Sequence, residues 1–158
     1  MILRVMALLT CLLALPSQGA ESYKTLDWDA LLPPGQSVLP PPPVPHDGDM
    51  SSVPQPIGEV NQALDGQEIR LPGFVVPLEG DAKKITTFLL VPYFGACIHV
   101  PPPPTNQVVY VSFPKGAPVD DLWDAIWVKG KIRTVSTSQE MANTGYSMEA
   151  VEVTVYEE

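Results

Sequence analysis

Two side chains able to do chemistry stand two residues apart, Cys97 and His99, within P-Y-F-G-A-C-I-H-V-P-P-P-P-T-N-Q at positions 92–107. A thiolate and an imidazole can share one transition-metal ion, and zinc takes both readily in a set of three or four protein ligands. Residues i and i+2 of an extended backbone point to the same side. The spacing therefore predicts that Cys97 and His99 converge on one point. Glu79 is the expected third ligand, ahead of Asp81 and His46, with Asn106 or water behind them. Strong zinc signatures carry four ligands at diagnostic spacings, and only two are close here.

The same stretch admits two other chemistries. An imidazole beside a thiol lowers the thiol pKa and produces a nucleophile or a redox centre. No third group that would orient the histidine is evident, and no Cys-x-x-Cys pair exists, so no catalytic residue is assigned. Alternatively, Tyr93, Phe94, Pro101, Pro102, Pro103, Pro104 and Asn106 form a surface for a protein partner. A proline run is already extended and loses little entropy on binding. In that non-catalytic interaction module Cys97 is a small buried hydrophobe and His99 donates to a backbone carbonyl.

Positioning such a site requires a scaffold, which starts near residue 66. Residues 67–71 and 73–78 read as one long strand bent at Pro72 and Gly73, because proline is tolerated in strands at an edge or a bulge. Residues 85–91 and 107–113 read as buried strands, and 119–125 as a short helix with Asp120 and Asp121 in its first turn. The next strand alternates Ile126, Val128 and Ile132 inward with Trp127, Lys129, Lys131 and Arg133 outward. The last places Val151, Val153 and Val155 inward. Three strands, a helix and two strands predict a mainly β domain, a small antiparallel OB-fold-like barrel of five to six strands with one short helix, over residues 59–158.

Ahead of it, residues 21–58 comprise an amphipathic piece carrying Leu26, Trp28, Leu31 and Leu32, then a proline-rich linker containing His46. Residues 1–20 have a positive charge at Arg4, a short apolar run and small residues at the end, as a cleaved secretory signal does. Cys11 admits a rival reading as a lipid-anchor site. After cleavage the chain keeps one of its two cysteines, Cys97, and a net charge of about −10. Acidic surface repels phosphate backbones and excludes nucleic acid as partner. A lone thiol in an oxidising compartment must be buried, ligated or available to something outside.

The segments L-P-G-F-V-V-P-L-E at 71–79 and F-L-L-V-P-Y-F-G-A-C-I-H-V-P-P-P-P-T-N-Q at 88–107 resemble a bacterial family called domain of unknown function 3299. L-D-W-D-A-L-L-P-P at 26–34 resembles the opening of its members. The resemblance implies a protein exported to the periplasm of Gram-negative bacteria, often encoded beside an ABC-type transport system and linked to supply of zinc or other metals. The resulting expectation is a periplasmic zinc-binding accessory that assists metal transport or homeostasis, with envelope ABC-transport components as partners.

Overall fold

The alternation that begins at residue 67 becomes a closed barrel in the computed structural model, which describes residues 23–37, 54–81, 84–97, 102–117, 124–139 and 142–156. The predicted signal, Cys11, His46, His99, Pro101, most of the linker and most of the predicted helix lie outside the described residues. The strands are β1 (Lys24–Thr25), β2 (Glu68–Asp81), β3 (Lys84–Val91), β4 (Val109–Ala117) and β5 (Ile126–Arg133). They are followed by β6 (Thr137–Ser138), β7 (Asn143–Thr144) and β8 (Tyr146–Val155).

The long strand β2 is shared between two neighbours. Glu68–Gly73 pairs with β5, and Phe74–Asp81 pairs with β3. The bend expected at Pro72 and Gly73 is where the strand changes partner. The ring then runs β2, β3, β4, β8, β5 and back to β2. Every contact in it is antiparallel except β4 with β8, where Val109–Ser112 runs parallel to Tyr146–Glu149. That parallel pair corrects the all-antiparallel expectation, and the reason is parity: five strands closed in a ring cannot all alternate in direction. The fold is accordingly a mainly β, closed five-stranded mixed barrel of OB-like order.

Side-chain alternation divides the apolar residues into two clusters. Ile69, Leu71, Val75, Phe88, Leu90, Val109, Val111, Ile126, Val128, Ile132, Tyr146 and Met148 fill the barrel. Val76, Leu89, Val91, Ala96, Val108 and Ala142 form a second cluster, with Phe74, Leu78, Tyr93, Cys97 and Tyr110 packed on it. Because β2, β3 and β4 are apolar on both faces, their sequences read as near-continuous hydrophobic runs such as F-L-L-V at 88–91. The outward row of β5, by contrast, is charged, as its alternation predicts.

The amphipathic N-terminal piece belongs to the barrel. Leu26 and Leu31, with Leu64, are buried in the inner core, each fully buried leucine contributing about 1.5–3 kcal/mol. Its polar groups are matched one by one. The Trp28 indole donates to the Pro72 carbonyl at 2.8 Å, Asn61 Nδ2 to the Ala30 carbonyl at 3.0 Å, and Gln107 Nε2 to the Trp28 carbonyl at 3.0 Å. The buried Tyr146 hydroxyl donates to the Leu31 carbonyl at 2.5 Å and accepts from the Asn61 amide at 2.6 Å.

Of the three valines of β8 expected inward only Val153 is buried: Val155, opposite Ile126 at the open end of the strand, is 49% exposed, and Val151 is displaced by a bulge. Between Lys129 and Gly130 the register with β8 shifts, so that Gly130 faces Ala150 and Lys129 faces Glu152. Val151 is the extra residue of that bulge and is 47% exposed, while Val153 stays buried. Gly130 sits where β8 comes so close that an added Cβ would lie 2.3 Å from the Glu149 carbonyl oxygen.

Candidate functional site

Cys97 lies in a turn that follows β3 through Pro92, Tyr93, Phe94, Gly95 and Ala96. Its φ is +66°, a left-handed conformation that a non-glycine residue adopts in tight turns. The backbone at Cys97 is therefore not extended, which removes the geometric premise for aiming residues 97 and 99 at one point. The side chain is half-buried against the outer apolar cluster. Burial pushes the thiol up to about 11, because a thiolate there would lose its hydration. Tyr93 is likewise raised, first by burial and then by the neighbouring Cys97.

Zinc would be held by thiolate, imidazole and carboxylate groups, and the described donors do not supply such a set. Glu79 lies exposed near the end of β2, where one carboxylate oxygen accepts a hydrogen bond from the Thr87 hydroxyl at 3.0 Å. Asp81 is exposed at the last position of the strand. Among the described residues, no three His, Cys, Asp or Glu side chains come together in a way that could hold a metal ion.

The residues predicted to meet a partner separate by depth. Phe94 is exposed and packs edge-on against Phe74, ring centres 6.2 Å apart at 73°. Pro102 and Pro104 are half-buried, and Pro103 is buried. Asn106, 2% exposed, is an interior residue whose amide donates to the Glu59 carbonyl at 2.7 Å. The side-chain oxygens of Asn106 (Oδ1) and the adjacent Gln107 (Oε1) are buried with no hydrogen-bond partner among the described residues.

Two surface features emerge that the sequence reading left out of the site. An open cleft of about 800 Å³ lies between residues 57–62 and the β6–β7 hairpin, with Thr105 and Gly145 also in its wall. The other feature is a row of rings across the outside of β2 and β5. Pro72 and Phe74 share one face of β2, Pro72 is paired with Trp127 of β5, and Trp127 stacks on Tyr156 with ring centres 5.0 Å apart at 23°. The Arg70 guanidinium sits 3.8 Å from the centre of the Trp127 ring. With Phe94 at the Phe74 end, the row runs from the turn after β3 to the end of β8. The signal for it was present in the outward parity of Trp127, but parity does not say which strand lies alongside.

A family model described as Protein of unknown function (DUF3299) matches residues 28–155. No curated protein matches. Among solved structures, a DUF3299 family protein from Pseudomonas aeruginosa is 45% identical, with a TM-score of 0.77 over 87% of this chain and 98% of that one. An OBody bound to hen egg-white lysozyme is 16% identical, with a TM-score of 0.38 over 60% of this chain and 85% of that one.

Proposed function

The chain belongs to the DUF3299 family of proteins of unknown function, and from the geometry of this member we propose a non-catalytic recognition module of the cell envelope that binds a protein partner through its outer aromatic row. The observation that carries the reading is the Arg70, Trp127 and Tyr156 stack, continued by Phe74 and Phe94. Trp, Tyr and Arg are enriched among the residues that dominate protein interfaces, the two aromatic ones because they bury much area with only two side-chain torsions. Here each is held by its neighbour before any partner arrives, so less side-chain freedom is lost on association. The envelope location rests on the signal-like character of residues 1–20.

A protein is the partner class that suits the surface. The net charge of −9 opposes nucleic acid, the ligand many OB-like barrels take. The zinc-accessory reading has less support, since Glu79 is engaged with Thr87 and, among the described residues, no three candidate ligands come together.

The test is retention of partners from a crosslinked envelope fraction by the wild-type protein, by Trp127→Ala and Phe94→Ala, and by Cys97→Ser. Loss in the two aromatic variants with retention in Cys97→Ser is expected. Retention in both aromatic variants would refute the row as the binding site, and loss in Cys97→Ser alone would place binding at the thiol instead.

A further inference from the structure

We propose that the protein carries a second recognition site, independent of the aromatic row: a peptide groove formed by Pro103–Asn106 and Asn143, occupied in cis by the chain's own segment Pro54–Gly58 as a displaceable strap. The proline run creates the groove. Proline has no amide donor, so this run cannot form a strand ladder; the Pro104 carbonyl is met locally by the Gln107 amide at 2.8 Å, which leaves the Pro103 carbonyl to be matched from outside the run. The strap supplies what is missing.

Gln55 is the central reader. Its carboxamide nitrogen donates to the carbonyls of Pro103 and Asn143 at 3.0 and 2.8 Å, and its oxygen accepts from the Asn143 amide at 2.7 Å. The side chain thus pairs with both backbone groups of Asn143, as a neighbouring strand would. Downstream, the Thr105 amide donates to the Pro56 carbonyl at 3.0 Å. The Thr105 hydroxyl accepts from the Gly58 amide at 3.0 Å and donates to the Gly58 carbonyl at 3.2 Å. Gly58 lies so close to Asn106 that a Cβ would fall 2.2 Å from the carboxamide carbon and oxygen. The groove therefore specifies a carboxamide at the second position of the bound segment and glycine at the fifth.

The strap is displaceable because none of its own apolar side chains is buried, the nearest apolar anchor being Val60, which packs on the inner core two residues beyond it. Pro54 and Pro56 are exposed and Ile57 is 93% exposed, so the segment is held by hydrogen bonds alone. A partner segment with the same pattern would make the same bonds. The open cleft adjoins the strap along Ile57–Val60, which leaves room on that side for an incoming chain.

The experiment uses the full chain and a fluorescent synthetic peptide, Pro-Gln-Pro-Ile-Gly-Glu, with a control peptide carrying alanine in place of glutamine. Gln55→Ala loosens the strap by removing its side-chain hydrogen bonds, and Gly58→Ala does so by collision with Asn106. Near-ultraviolet circular dichroism confirms that each variant is folded. The wild-type protein should leave the peptide free. Both variants should exchange the Asn143 and Thr105 amides about tenfold faster, the loss expected for about one net hydrogen bond. They should also bind the glutamine peptide at least about tenfold more tightly than the wild type does, and tighter than the alanine peptide by a similar factor. Unchanged amide exchange, failure of both variants to bind the peptide, wild-type binding equal to that of the variants, or indifference to the glutamine would each overturn the proposal.

Discussion

Replacing Tyr146 by phenylalanine tests whether the N-terminal piece is part of the barrel's stability. The hydroxyl bridges two backbone groups, the Leu31 carbonyl and the Asn61 amide, and both bonds disappear in Tyr146→Phe. Each buried group left unmatched would cost about 1–3 kcal/mol. The Asn61 amide, however, already donates to the Leu31 carbonyl at 3.4 Å, a long bond that a small shift would shorten once the hydroxyl is gone. The expected loss is therefore near the bottom of that range for the pair together, about 1.5 kcal/mol. In urea this should lower the midpoint at constant slope, and on heating it should lower Tm by about 5 °C.

The same substitution has a signature in alkali. Burial raises the Tyr146 pKa above its ordinary value of 10.0, so the folded protein holds that proton more tightly than the unfolded chain. The stabilisation is fully present below pH 10 and is lost as pH rises through the higher folded-state pKa. Tyr146→Phe should therefore lose stability less steeply above pH 10 than the wild type. An unchanged midpoint, a loss above about 4 kcal/mol, or an unaltered alkaline slope would refute the reasoning, the second because it would mean the whole N-terminal piece detaches.

Other expectations follow from single positions. Cys97 should react with a disulfide reagent near pH 8 about 100-fold more slowly than in the denatured chain, because its pKa rises from 9.0 to about 11; equal rates would contradict its burial. Gly130→Ala should destabilise by about 1–3 kcal/mol, since the new methyl meets the β8 backbone rather than a movable side chain, whereas Val151→Thr at the opposite bulge should stay within about 0.5 kcal/mol by urea titration. Elemental analysis of protein purified without a metal-affinity tag should find no zinc that depends on Cys97, and one zinc per chain lost in Cys97→Ser would restore the metal reading.

Much of the barrel was legible because a half-buried strand writes its orientation in period two. Ile126, Val128 and Ile132 fall inside and Trp127, Lys129, Lys131 and Arg133 outside as read from the sequence. The break at Pro72 and Gly73 marked the change of partner along β2. Val151 was misplaced because its bulge depends on how closely Gly130 lets β8 approach, a property of two segments some 20 residues apart. The parallel β4 and β8 pair follows from ring closure and from no local signal.

The candidate site was less legible for a related reason. Cys97 and His99 invited a strand geometry, but Gly95 and Cys97 both take positive φ, so the backbone at Cys97 is not the extended one that the spacing assumes. Asn106 looked like a polar contact beside a proline rib, yet it is folded inward beneath Gly58. The aromatic row joins residues from the turn after β3, the middle of β2, the start of β5 and the end of β8, which only the closed ring brings side by side.

The most direct test of recognition through that row is a photo-crosslinking amino acid placed at Phe94, compared with the same group at Ala63, exposed on the turn before β2. The account predicts one discrete protein adduct from the envelope at position 94, abolished by Trp127→Ala and absent at position 63. Equal labelling at both positions, or an adduct indifferent to Trp127, would contradict it.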